Sequence, residues 1–186
     1  NRHRCRIEHF EFPLPDQVER AGALGIVTPV QPGFAWLDER FIHGYDEALS
    51  PAVRAMFTPL RSMAEAGCVI SLSSDAPVQP LNPWLQIAGA VQHPVPSQRL
   101  SRYAALRAHT WGGAYAAGDE EIRGTLAVGK SADFAVLDAD PFSVTEEELP
   151  EMKTRATYIG GRPAPMPPED TAGFARYLLK HERKPM

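Results

Sequence analysis

Cys68-Val69-Ile70-Ser71-Leu72-Ser73-Ser74-Asp75-Ala76-Pro77 is the stretch on which the fold turns. Its first five residues carry no charge and form one continuous apolar run. A strand buried on both faces of a parallel sheet needs such a run. Asp75 then follows its C-terminal end, the edge where α/β architectures place their active sites. Arg6-Ile7-Glu8-His9 repeats the arrangement near the start of the chain. Arg4 to Phe10 reads as a strand, and His9 lies at its C-terminal end.

Between these two segments the pattern alternates. Asp16 to Leu24 reads as a short helix, with Pro15 and Asp16 as start signals and Gly25 as a stop. Ile26 to Val30 is a β-branched strand. An irregular stretch from Gln31 to about Leu49 carries Phe34, Trp36, Phe41, His43 and Tyr45. Pro51 to Ala66 has a helical pattern, interrupted or restarted at Pro59 and closed by Gly67. After Asp75, Asn82 is an N-cap and Pro83 suits the first helical position, starting a helix to about Gln92. Ser101 caps a further helix towards Gly118.

Strands alternating with helices imply a parallel sheet covered by helices. Three such units cannot close an eight-stranded barrel, so they form either part of one or a small open sheet. From Asp119 onward the signals are those of hairpins. Thr125 to Val128, Phe134 to Leu137 and Thr154 to Ile159 read as strands, the last ended by Gly160-Gly161-Arg162. Pro163 to Asp170 reads as a linker and Thr171 to Glu182 as a short polar helix. The expected division is 1–118, 119–165 and 166–186.

The chain has 186 residues, 44% of them hydrophobic, and a formal net charge of -4. That is enough for one domain and a small second one. No basic stripe argues for nucleic acid. No apolar run approaches the ~20 residues of a membrane span. The N-terminal residues lack the apolar core of a signal peptide, and without an initiator Met the chain is expected to start inside a longer protein. Cys5 and Cys68, both in apolar strand-like runs, are read as reduced core residues, which favours the cytoplasm.

Neutral imidazole is the commonest ligand for zinc-like metals, so His9 is either a metal ligand or a histidine capping a neighbouring loop. A carboxylate at the end of an apolar strand is costly unless it is paired, hydrogen-bonded or metal-bound. Asp75 is therefore the stronger candidate, as a ligand and as a group that takes a proton from water and returns it to a leaving group. Glu8 alternates with His9 and should point the other way, paired with Arg6 or a helix residue. Gln31 could bond a substrate or brace its loop. Phe34, Trp36 and His43 could wall a substrate pocket or pack the long loop onto the body. His109 and Trp111 are read as core or interface residues, and Lys130 as a solvated turn residue.

Taken together, these segments resemble the amidohydrolase superfamily, in particular its type 3, YtcJ-like branch. The matching pieces are Arg6-Ile7-Glu8-His9, Leu24-Gly25-Ile26, Gln31-Pro32, Pro59-Leu60-Arg61, Ala66-Gly67 and Ser74-Asp75-Ala76-Pro77-Val78. Asn82-Pro83, Gly124-Thr125-Leu126, Gly129-Lys130-Ser131-Ala132-Asp133-Phe134, Asp140-Pro141, Glu148-Leu149 and Thr157-Tyr158-Ile159-Gly160-Gly161-Arg162 follow in order. Any one of them is weak; their order and spacing are specific.

The resemblance implies an α/β fold: strands six to eight of a TIM-like (β/α)8 barrel, plus the C-terminal strands of a small β-sandwich. It implies a divalent metal cofactor, zinc by expectation, as one or two ions. His9 would occupy the place of the strand-six histidine that ligates or neighbours the metal. Asp75 would occupy that of the strand-eight aspartate, which is ligand and general base. The family's strand-one, strand-four and strand-five ligands have no counterpart here and would precede Asn1. The implied activity is hydrolysis of a non-peptide C–N bond in a small amide-like or cyclic substrate by metal-activated water. Two ligands fall short of a catalytic zinc site. The isolated chain is therefore expected to be inactive, and to form a homo-oligomer or associate with the missing N-terminal half. Cys68 to Leu72 is the expected sticky strand. A non-catalytic α/β scaffold is the alternative.

Overall fold

The computed structural model describes residues 3–34, 49–164 and Arg176. Trp36, His43 and the C-terminal helix expected over Thr171 to Glu182 lie outside the described residues, Arg176 excepted.

Two parallel strands form the inner sheet. β1 (Val27–Val30) pairs with β2 (Val69–Leu72) in the register Val27 to Val69 and Val30 to Leu72. The β-branched content of the first and the uncharged run of the second suit a sheet covered by helices, and both are almost wholly buried. Residues 5–9 add a third parallel rung set on the other side of β1. The Val27 N–H donates to the Cys5 carbonyl, Ile7 N–H to Val27 at 3.0 Å, and His9 N–H to Pro29 at 2.9 Å.

That rung set is shorter than the strand expected over Arg4 to Phe10. Only the Arg6–Val27 bridge has regular sheet geometry, because Arg4, His9 and Phe10 all take positive φ angles of 47 to 67°. Such angles turn the backbone out of the extended region. Cys5 is exposed here, contrary to the core position expected for it, whereas Cys68 is buried.

The helices follow their sequence signals. α1 (Pro15–Ala23) starts with Pro15 at its first turn, while the Gln17 side chain accepts the Leu14 N–H at 2.8 Å. The Pro51-to-Ala66 pattern resolves into α2 (Pro51–Arg54) and α3 (Leu60–Ala66), split at Pro59 and closed by Gly67 at φ 96°. α4 (Pro83–Val91) is capped by Asn82, whose side chain accepts the Trp84 N–H at 3.0 Å. The single helix expected after Ser101 is two, α5 (Arg102–His109) and α6 (Trp111–Ala117). At the break, the Thr110 hydroxyl donates back to the Leu106 carbonyl at 2.8 Å, a bond that competes with the helical ladder.

The core lies between sheet and helices. Val18, Ala21, Val30, Leu60, Met63, Ile70, Leu72, Trp84 and Ile87 belong to one buried cluster. α5 and α6 pack directly on β2, which pairs with β1 alone among the described strands.

A second, antiparallel sheet comprises β3 (Phe134–Leu137), β4 (Thr154–Ile159) and β5 (Arg162–Ala164) in that order. Thr125 to Val128 is not a strand: it runs through turns with Leu126 and Val128 fully in solvent, so its apolar residues have no sheet to join. The Ala132-Asp133-Phe134 motif has a visible purpose. The Asp133 carboxylate accepts from the Ser131 hydroxyl at 2.6 Å and the Gly160 N–H at 2.7 Å, which hold it below the usual carboxylate range and tie β3 to the β4–β5 turn. Lys130 is more than a solvated residue: its ammonium donates to the Glu120 carbonyl. Arg4 pairs with Glu120 and lies 4.5 Å over the Tyr115 ring, fastening the first rung set to the end of α6.

Candidate metal centre

Three backbone segments leave the sheet at the same, C-terminal edge. They are His9 after the first rung set, Gln31 after β1, and Ser73 to Asp75 after β2. The parallel pairing fixes this, since residues 9, 29–30 and 72–73 are joined rung by rung: His9 to Pro29, and Ser73 N–H to the Val30 carbonyl at 3.0 Å.

His9 and Asp75 both bend sharply there, at φ 67° and 52°. Histidine and aspartate are among the residues that tolerate this left-handed region. Phe10 and Thr58 share it, at 47° and 38°. Of these four, Thr58 is the least suited, being β-branched, and its N–H is spent on the Glu11 carbonyl. Backbone kept in sparsely populated conformations gathers at functional sites.

Glu11 joins His9 and Asp75, and the sequence reading passed over it. Its carboxylate lies 4.0 Å from the His9 Nδ1. Its side chain is 22% exposed, against 48% for His9. Burial pushes the Glu11 carboxyl above its usual range, His9 draws it back, and the charge of Asp75 pushes it up again. Glu11 is thus a partly buried carboxyl on which the charges of His9 and Asp75 act in opposite directions.

Gln31 is 4% exposed, and its amide nitrogen donates to the Ser73 hydroxyl at 2.6 Å, bracing β1 to β2 just before Asp75. Its Oε1 has no hydrogen-bond partner among the described residues. Next to it, Gly33 N–H donates to the Gln86 Oε1 at 3.1 Å, while Gln86 donates to Gln79. These buried amides fix the turn after β1 to α4. Phe34 is buried with Phe57 and Phe12, the last two rings being 5.4 Å apart, so its ring packs beneath the edge. Glu8 pairs with Arg6 at 3.0 Å, away from the site. His109 is largely buried, and burial lowers its pKa, while Trp111 carries the Arg107 guanidinium 3.7 Å from its ring centre.

His9 and Asp75 offer one nitrogen and one carboxylate donor at this edge. Among the described residues no group of three His, Cys, Asp or Glu could hold a metal ion. A zinc-like ion needs at least three protein ligands in a catalytic site. The donor chemistry is right for part of such a centre.

The same order of segments characterises a known family, whose model matches residues 1–165 under the description Amidohydrolase family. The chain belongs to the amidohydrolase family. It is 32% identical to Protein LONG AFTER FAR-RED 3 of Arabidopsis thaliana over 86% of its own length and 28% of that protein's. It is 30% identical to an N-substituted formamide deformylase of Arthrobacter pascens, over 84% of this chain and 30% of the relative. Among solved structures, an uncharacterized metal-dependent hydrolase from Pyrococcus furiosus matches with TM-score 0.65 and 31% identity, covering 74% of this chain and 29% of that one. The amidohydrolase chain described here thus spans under a third of the length of each of these proteins. Its parallel segments are the last strands of a hydrolase barrel. No described helix is long and apolar enough to cross a membrane.

Proposed function

We propose that this chain is the C-terminal part of a metal-dependent hydrolase that cleaves a non-peptide C–N bond in a small amide-like or cyclic substrate. The observation that carries the reading is that the segments bearing His9 and Asp75 leave the parallel strands at the same sheet edge. His9 and Asp75 would hold a divalent cation, zinc by preference, with the remaining ligands supplied from outside the described residues. When bound, such an ion acidifies water and polarises the carbonyl under attack. Asp75 takes the proton from the attacking water as its oxygen adds to the carbonyl carbon. It then gives that proton to the nitrogen as the C–N bond breaks. Gln31 would steady the segment that carries Asp75 through its bond to the Ser73 hydroxyl. Phe34, Trp36 and His43 belong to the segment that would shape substrate choice. The named activity of the Arthrobacter relative supports an N-substituted amide as the substrate class.

The test uses the intact protein, including whatever barrel strands lie outside these 186 residues. It is loaded with zinc and assayed against N-substituted formamides and cyclic amides. Asp75→Asn should lower kcat by a factor of about 10² to 10⁴, the usual worth of a positioned acid–base group. The bound metal should amount to one or two ions per chain. Wild-type turnover in Asp75→Asn would end the proposal. A protein that binds no metal and hydrolyses nothing would favour the non-catalytic scaffold.

A further inference from the structure

Glu11 faces the wrong nitrogen of His9 to be competing with it for a metal. Its Oε1 lies 4.0 Å from Nδ1, and Nδ1 is the ring atom closer to the backbone. That separation is an electrostatic approach beyond hydrogen-bond distance, and it leaves the opposite ring atom, Nε2, as the one a His9 ligand would use. Glu11 itself is anchored independently of the imidazole. Its carbonyl accepts the Thr58 N–H, and the next residue, Phe12, packs tilted against Phe57 at the side of a small buried cluster. The carboxylate is therefore delivered to Nδ1 by the α2–α3 connection and not by the flexibility of His9.

Neutral histidine exists as two tautomers, and the partner of one nitrogen sets which is populated. A carboxylate beside Nδ1 favours a proton there and leaves the Nε2 lone pair for a cation. Metal-ligating histidines are commonly oriented this way, and loss of the orienting group costs 10- to 100-fold in metal affinity.

We infer that Glu11 is a positioning residue that keeps His9 protonated on Nδ1 and presents Nε2 to the metal. This rests on the reading of His9 as a ligand. Two measurements separate the two ideas. The first needs no metal: nitrogen-15 NMR of the histidine rings in the metal-free chain at pH 8, with the His9 signals identified by their loss in His9→Gln. Wild-type His9 should be mainly the Nδ1–H form. Glu11→Ala should return it to the Nε2–H form that free histidine prefers, and Glu11→Gln should shift it part of the way. Amide spectra of both variants report whether the fold is kept, and Glu11→Gln, which preserves size, carries the test if Glu11→Ala does not fold. An Nε2–H majority in wild type, or a tautomer ratio unmoved by either substitution, overturns the inference and leaves the metal reading untouched.

The second measurement is cobalt(II) titration of the intact protein. Glu11→Gln should weaken binding about tenfold and His9→Gln by more. Undiminished binding in His9→Gln would remove the ligand reading, and with it the purpose assigned to Glu11.

Discussion

Gly89, in α4, packs against the turn that follows β1. A Cβ built there would lie 2.7 Å from the Gly33 nitrogen and from the Pro32 carbonyl carbon and oxygen. All three are backbone atoms, so no side chain can swing aside. Gly113, in α6, is the contrasting case, since a Cβ there would meet only the Ser71 hydroxyl at 4.0 Å. Both glycines sit inside helices, where alanine is favoured by about 1 kcal/mol. At Gly113 that gain should stand, raising Tm by about 2–4 °C for a chain of this size. At Gly89 the helix must retreat roughly 0.7 Å to reach ordinary contact at 3.4 Å. A gap of 0.5–1 Å forfeits about a quarter to a half of each dispersion contact, here those of Ile87, Ala88, Ala90 and Val91. Overpacking of this kind costs about 3 kcal/mol at the upper end of its usual range. After the helix gain, Gly89→Ala should be destabilised by about 2 kcal/mol and lose about 4–8 °C in Tm. Urea unfolding and calorimetry of the two variants beside wild type make the measurement. If Gly89→Ala proved as stable as wild type, the backbone contact that fixes Pro32–Gly33 would not exist as described.

Asn82→Ala removes the oxygen that accepts the Trp84 N–H, and should cost about 0.5–2 kcal/mol in urea unfolding. His93 is fully buried beside Phe57, and burial pushes its pKa below 6.5. The unfolded chain therefore takes up a proton that the folded one refuses, so stability should fall as pH drops below about 6.5. His93→Gln should flatten that slope, leaving the part due to His109, and a denaturation series at several pH values reads it. Ile7, Leu126, Phe142 and Ile159 are large apolar residues left in solvent. The chain alone should self-associate in sedimentation runs, and a concentration-independent monomer would contradict that expectation.

Much of the barrel portion was legible in the sequence because its signals are local. An uncharged run at residues 68–72, a β-branched run at 26–30, and caps at Asn82, Ser101 and Gly67 each need only their near neighbours. The misreadings were not local. Thr125 to Val128 has strand-like composition, but pairing depends on a partner that composition does not reveal. The pattern around Thr110 reads as one helix because the hydroxyl's bond to Leu106 leaves no trace in periodicity. For the candidate site, His9 and Asp75 were visible because each ends a strand-like run, so the parallel pairing brings them to one edge. Glu11 lies one residue beyond the strand read over Arg4 to Phe10, and the backbone turns through two left-handed residues that bring it to within 4.0 Å of His9.

The tie between Arg4 and Glu120 has a consequence for the order in which the molecule assembles. It joins residues 116 positions apart, so it can close only after the intervening strands and helices are in place. His9 lies five residues downstream of Arg4, on the rung set that this tie fastens. The helices and β1–β2 can form around their own apolar contacts, and the rung from His9 to Pro29 can form with them. The tie therefore marks completion of the unit from first rung to α6, while the placing of His9 depends on its nearer rungs to β1.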